Sequence, residues 1–515
     1  MHTPHNIPFL MILLCGAATA CSDHTTSDQS TSEADASDAS GPYVTDESGQ
    51  TIDPPTSTTS VAPGSSTEIA VVTGPDISTS TSTSTSTGPD TAPSTVTSDS
   101  SGGSDTGATT ASPPDMGPPA DDPNLDIPPL DADGCPGLYA QDLLPTFELT
   151  IDPAEWQALE YEWANGLMNE EMGLDPTPYH PLAEFRYGEV VITDALIRLR
   201  GNATWWTPED KLQFQIGFDE YDKDGRFLGL RKLAFDAATF NRHMLRDRLA
   251  LAAMRDMGVA APCANNARLD INGEYYGLFT NLEKLDMTFL ERVFDDPTGD
   301  LYERANWTLK TNEDTATGVR LAALKAAKSS EALTDYLDLE QALQVFAAEA
   351  ILPNSDGMWA GGLNYYLYDD PLGGRFVLLP WDLDNTFERF NGPPEGEYPA
   401  NPDPVVWHKL LTHGRPFYDI ALLDSEWFDY YLASIEQQLD TGYNAEALHQ
   451  RIDEWTAQIK DSVFEDPNKP YSNALYLNRV AALHAYVQAR HDFLVTWLVC
   501  WQNGGTADVD GYCVP

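Results

Sequence analysis

The chain has 515 residues, and its 80 Asp and Glu against 29 Lys and Arg give a formal net charge of −51 at pH 7. Nucleic acid is excluded as a partner by that balance, because a phosphate backbone needs a basic footprint. Any smaller anion would have to be held by metal ions and a few well-placed cations.

Ile7 to Ala20 is an apolar run. It is shorter than the roughly 20 residues a spanning helix needs, and it fits the core of a secretory signal. Ala18-Thr19-Ala20-Cys21 resembles a bacterial lipobox, although the residues before the run contain no Lys or Arg. That resemblance implies a signal peptide over 1–20 and lipidation at Cys21. It places the protein in the cell envelope, periplasmic or at the cell surface and held to the membrane by lipid. Residues 21–130 read as a disordered tether. Ser, Thr, Pro, Gly and Asp dominate, Ser78 to Thr87 alternates strictly, and no Lys or Arg occurs before Arg186. So little apolar surface cannot offset the entropy of ordering the backbone.

The composition changes near residue 131, and 131–515 is expected to fold as one large domain. With Cys15 and Cys21 assigned to the signal and the lipid, Cys135, Cys263, Cys500 and Cys513 remain. In an exported chain they suggest two disulfides with three possible pairings, and a bridge tying the ends of the folded region together is expected as one possibility.

Thr146 to Ile151 alternates as a half-buried strand does, and Asp152-Pro153 reads as a helix cap with proline at the first helical position. Strands are expected at 189–192, 196–200 and 212–216, and an amphipathic helix over 241–257 ended by Gly258. Asn272-Gly273 between 268–271 and 275–279 predicts a hairpin with a type I′ turn. Further on come a helix over 337–352, a second hairpin of 364–368 with 375–380, and a mostly helical stretch from Val405 to Trp501. Asp222-Lys223-Asp224-Gly225 and Asp508-Val509-Asp510-Gly511 echo calcium loops but lack the downstream glutamate, so they read as turns.

Three polar features sit where a fold alone would not demand them. Arg200-Gly201-Asn202 follows an apolar strand, with Lys211 heading the next. Asn354-Ser355-Asp356-Gly357 is a polar loop after a helix, with Asn364 leading into a strand. Asp382 and Asp384 end an apolar strand, and in an alternating run both would face the same way. Taken singly, each is a turn, a solvated lysine or an Asx cap. Together they are the parts of phosphoryl transfer: a cation for the phosphates, a base at the acceptor hydroxyl, and carboxylates for a metal.

The stretches LRGNATW (199–205), LRDRLA (245–250), NGEYYGLFTNLEKLD (272–286), GDLYER (299–304), NSDG (354–357), LNYYLY (363–368) and LLPWDLDNTF (378–387) resemble the CotH kinase family. The likeness runs from about Thr146 to Trp497. It implies an α+β, atypical protein-kinase-like two-lobed fold with a mostly helical C-terminal part. It also implies an enzyme that uses ATP with Mg²⁺ or Mn²⁺ and phosphorylates Ser or Thr of proteins on the surface or in the periplasm. Under the same likeness Asp356 is the catalytic aspartate, and Lys211 pairs with the nucleotide phosphates. Arg200 and Asn202 border the nucleotide. Asp382, Asp384 and Asn364 are the metal ligands, although Asn364 stands eight residues after Asp356 where protein kinases use five. Glu283 either sits at the adenosine hinge or pairs with Lys211. Arg246 and Asp247 lie in a matched motif without an assigned role, and Gly217 stands where relatives often carry a second basic residue. Two other readings remain: an inactive adhesin or scaffold on the same fold, and a transferase with a different acceptor or donor.

Overall fold

The computed structural model describes residues 130, 134–175, 177–200, 211–239, 241–304, 307–387, 403–405, 417–507 and 513–515. The signal, Cys21, the tether, Gly201 and Asn202, and the second calcium-like string lie outside these residues.

The first half of the folded region builds one large sheet. Strand β1 (Thr146–Thr150) turns Phe147 and Leu149 inward, as its alternation requires. Asp152 caps α1 (Pro153–Glu171), its carboxylate accepting from the Ala154 N–H. Then follow β2 (His180–Pro181), β3 (Glu184–Tyr187), β4 (Val190–Ile192), β5 (Leu196–Leu199), β6 (Phe214–Gly217) and β7 (Lys232–Asp236). Helix α2 (Arg246–Asp256) leads into β8 (Ala264–Ile271) and β9 (Glu274–Leu282). The sheet order is β2-β5-β6-β7-β9-β8-β1-β3-β4, with β1 and β8 parallel and the other pairs antiparallel. The β8–β9 turn has Asn272 and Gly273 at φ 54° and 84°, the left-handed pair that a type I′ turn demands. Helix α2 begins five residues later than its periodicity suggests, because Met244 adopts φ 62° and Asn241 to Leu245 form turns instead.

The second half carries α3 (Met287–Val293), β10 (Leu301–Glu303), β11 (Thr308–Leu309), α4 (Val319–Ala326), α5 (Ser330–Thr334), α6 (Leu339–Ile351) and α7 (Met358–Gly361). The hairpin of β12 (Tyr365–Asp370) and β13 (Arg375–Pro380) completes a four-stranded sheet, β11-β10-β12-β13. Helices α8 (Tyr418–Ala421), α9 (Ser425–Thr441), α10 (Ala445–Glu465) and α11 (Asn473–Gln502) and the short pair β14 (Thr506–Ala507) and β15 (Cys513–Val514) follow. The result is α+β with a mostly helical C-terminal part.

Two cores hold it. On one side of the large sheet, Phe147, Phe185, Phe218, Phe227 and Phe235 pack ring against ring with Leu159 and Trp163 of α1. On the other, Leu278 and Leu282 of β9 join α2, α6 and the C-terminal helices in one continuous core. Cys135 bonds Cys263, and Cys500 bonds Cys513. The bridge between the two ends is therefore not made: one disulfide pins the start of the domain to the residue before β8, and the other closes the C-terminal tail on α11.

The sheet is joined to the C-terminal helices by a buried ion pair. Lys211 Nζ donates to Asp466 at 2.9 Å and to the Leu278 carbonyl at 2.5 Å, and it lies 4.2 Å from the centre of the Phe279 ring. Asp466 caps the end of α10 and also accepts from the Leu278 and Asn468 amides. Gly277, at φ 153°, admits this approach: a Cβ there would stand 2.8 Å from both Asp466 carboxylate oxygens. Arg268 adds bonds to Ser462 and Glu465, and Tyr275 donates to the Ser462 carbonyl. Removing one member of a buried pair strands the other in low dielectric. Asp466→Ala should therefore lower the unfolding free energy by about 3–5 kcal/mol in urea titration. A loss below about 1 kcal/mol, the range of an exposed pair, would show that Lys211 does not bear on the joint.

Candidate active site

Five aspartates from four separate stretches converge. Asp356 comes from the loop after α6. That loop is set by Glu349, whose carboxylate accepts from the Trp359 N–H at 2.7 Å. Gly357 is required there, since a Cβ would stand 2.8 Å from the Glu349 carboxylate and 2.9 Å from the Asn354 side chain. Asp382 and Asp384 follow β13. The strand stops at Pro380, so strand alternation does not set how the two carboxylates face. Asp382 takes the left-handed φ of 56°, its carbonyl accepts from Asn354 Nδ2 at 2.9 Å, and the Asp384 carbonyl accepts from Arg246. Asn364 is likewise at φ 51°, and its carbonyl accepts from the Trp381 N–H. Aspartate and asparagine tolerate this region better than most residues, and such strain concentrates at functional sites. Asp247 lies in the first turn of α2, and Asp236 ends β7.

Hydrogen bonding and charge tie these stretches together. Asn385 Nδ2 donates to Asp356 at 3.0 Å and to Asp384 at 2.8 Å, bridging two of the carboxylates. Burial, then the charge of Asp382, pushes Asp356 up to about 7, against the pull of the Asn385 and Asn364 amides. Burial and the neighbouring Asp382, Asp356, Asp247 and Asp236 hold Asp384 well above the ordinary carboxylate range. Asp247 is raised in the same way, by burial, Asp236 and Asp382. Asp382 is raised by burial, with Arg200 opposing.

Three cations border the cluster. Arg200 donates to Asp236 at 2.9 Å and lowers both Asp382 and Asp247. Arg246 is held on the Asp384 backbone. Lys284 lies 4.7 Å from the centre of the Trp381 ring, and burial, then repulsion from Arg200, lowers it to about 8. Among the described residues Lys284 forms no ion pair, which leaves its ammonium free to meet an anion.

The structure thus brings Arg200, Asn364, Asp356, Asp382 and Asp384 together. Lys211 stands at the edge, near enough to Asp236 to feel its charge but bonded to Asp466. Glu283 pairs with Arg292 at 2.6 Å and accepts from the Cys263 N–H, so its pairing with Lys211 is not made. Sequence reasoning missed Lys284, Asp236 and Asn385. Lys284 and Asn385 lie inside the matched stretches 272–286 and 378–387; Asp236 lies in none, and only the fold reveals it.

Among the described residues no three His, Cys, Asp or Glu side chains form a ready metal cage. Mg²⁺ keeps several waters and takes one or two carboxylates together with phosphate oxygens. Asn354 Oδ1, Ser355 Oγ and Asp356 Oδ1 are buried oxygens without a well-formed hydrogen bond, and the mutual repulsion of the aspartates is what a divalent cation relieves. The donor set therefore fits the ion.

The raised carboxylates set a pH dependence. A group whose pKa is higher in the fold than in the unfolded chain contributes stability that is complete below its unfolded value. That stability is lost as pH rises through the folded value. With chelator present, stability should fall between about pH 4 and pH 7, the span from an ordinary aspartate to Asp356. Asp356→Asn should remove part of that slope, on the order of a few kcal/mol between its ends. Thermal melts of both proteins across this range check it, and parallel profiles would show that Asp356 is not held protonated.

A protein-family model described as CotH kinase protein matches residues 197–494. The curated Inner spore coat protein H of Bacillus subtilis (strain 168) is 22% identical over 296 residues, covering 52% of this chain and 78% of its own. Among solved structures, the crystal structure of a Helicobacter pylori proinflammatory kinase CtkA matches with a TM-score of 0.27 at 12% identity, over 57% of this chain and 93% of that one.

Proposed function

This chain belongs to the CotH kinase protein family, a family of kinase-like phosphotransferases. From that premise we propose that it transfers the γ-phosphate of ATP to Ser or Thr of proteins at the cell surface or in the periplasm, using Mg²⁺ or Mn²⁺. The observation that carries the reading is the cluster of Asp356, Asp382 and Asp384, buried together and bordered by Arg200 and Lys284.

Asp356, with a pKa of about 7, is suited to accept the proton of an attacking hydroxyl near neutral pH. Asn385 and Asn364 orient its carboxylate. Asp382 and Asp384 would hold the metal, which when bound neutralises charge on the phosphates. Lys284 and Arg200 supply the remaining positive charge. Lys211 takes the position of a joint, and Lys284 that of the phosphate lysine. A reading as a scaffold without catalysis leaves unexplained why these carboxylates crowd together against their own repulsion.

Membrane attachment through lipid at Cys21 is part of the proposal. The two disulfides favour an oxidising compartment outside the cytoplasm.

Intact mass after incubation with ATP and Mg²⁺ or Mn²⁺ is the direct test. A gain of one phosphate (about 80 Da, from the chemistry of phosphorylation) on the protein or an added acceptor supports the kinase. A gain of a whole nucleotidyl group would establish the other transferase, and no gain without nucleotide binding the scaffold. Asp356→Ala should lower the transfer rate by about 10²- to 10⁴-fold, the worth of a general base. Lys284→Met should weaken Mg²⁺–nucleotide binding about tenfold or more, near 1.4 kcal/mol. Normal nucleotide affinity in Lys284→Met would return the phosphate role to another cation.

A further inference from the structure

A second polar cluster, which the phosphotransfer reading does not use, lies on the outer face of the α10–α11 hairpin. His449 of α10 and His484 of α11 face each other, with Nδ1 to Nδ1 at 2.8 Å and ring centres 5.0 Å apart at 28°. Both are half-buried.

The far side of each ring decides which nitrogen carries hydrogen. His484 Nε2 stands 3.3 Å from the Asp453 carboxylate, one turn beyond His449 on α10. A carboxylate accepts only, so Nε2 bears a proton, and in the neutral ring His484 Nδ1 presents a lone pair. His449 Nε2 stands 3.4 Å from Gln488 Oε1, one turn beyond His484 on α11. Gln488 is oriented by its own amide, whose Nε2 donates to Asp492 at 2.9 Å, so its oxygen is the atom that faces His449. His449 Nε2 therefore donates as well, and in the neutral ring its Nδ1 also presents a lone pair.

Between two neutral rings with their protons outward, these lone pairs repel at this distance unless a shared proton or a metal ion lies between them. An imidazole whose outer N–H is given to a carboxylate or an amide oxygen is how proteins set histidine to bind metal. Two ligands at about 2.05 Å with a tetrahedral angle stand about 3.3 Å apart, so the pair need open by only about half an ångström. We propose that His449 and His484 form a binding site for a divalent transition metal such as Zn²⁺ or Cu²⁺, with water completing the coordination, that staples α10 to α11. Imidazole ligands suit these ions rather than Mg²⁺. Two protein ligands, not a closed cage, are consistent with the absence of a larger cluster among the described residues. The inference stands apart from the phosphotransfer reading and neither needs nor supports it.

The test uses the full chain stripped of metal, with Zn²⁺ alone in calorimetry and Cu²⁺ alone in electron paramagnetic resonance. His449→Phe and His484→Phe keep the ring packing and remove the lone pair, and circular dichroism without metal checks that they fold. The expected result is a Zn²⁺ site whose affinity falls at least tenfold in either variant. A Cu²⁺ spectrum with two equatorial imidazole nitrogens should also be lost in both. Equal affinity and the same spectrum in wild type and variants would overturn the proposal. So would wild-type uptake no greater than that of the double variant, the behaviour of a pair that shares only a proton.

Discussion

Like charges in a low-dielectric space are the constraint on which this structure turns. Burial, then the charge of neighbouring carboxylates, raises Asp247, Asp356 and Asp384, and burial raises Asp382. The fold tolerates this because it brings Arg200, Arg246 and Lys284 to the rim, Asn385 between Asp356 and Asp384, and Asn364 against Asp356. A protein under selection for stability alone would separate these groups. Their convergence from β7, α2 and two loops is the mark of a site kept for chemistry at a cost in stability.

Opposite charges have two separate uses. Lys211 with Asp466 and Arg292 with Glu283 are buried pairs closed on themselves and supplied with backbone hydrogen bonds. Such pairs fix geometry more than they add stability. Lys211–Asp466 fixes where the end of α10 meets β9, and Glu283–Arg292 ties α3 to the strand end beside the Cys135–Cys263 disulfide. Lys284, next to Glu283 in the chain, turns instead toward Trp381 and the carboxylates. Adjacent residues after β9 thus serve the fold, through α3, and the site. Membership of the CotH kinase protein family gives this division a frame, since phosphoryl transfer asks for positioned charge and little covalent chemistry from the protein.

Local chemistry was legible in the sequence wherever a short segment suffices to decide structure. Alternation marked β1, Asn272-Gly273 marked the first hairpin, and Asp152-Pro153 marked the start of α1. The grouping of Asp356, Asn364, Asp382 and Asp384 was also readable, because the matched stretches occur in a characteristic order. Tertiary structure alone decided which cations meet which anions. Ion pairing depends on distances between residues far apart in the chain, and Lys211 and Asp466 are separated by 255 positions. The same holds for the disulfides, where three pairings were open and packing selected one, and for His449 and His484, whose meeting depends on the register of two helices. Periodicity fixes the face a residue occupies on its own element. Only the assembled core fixes what that face will touch, since burial and charge act through space and not along the chain.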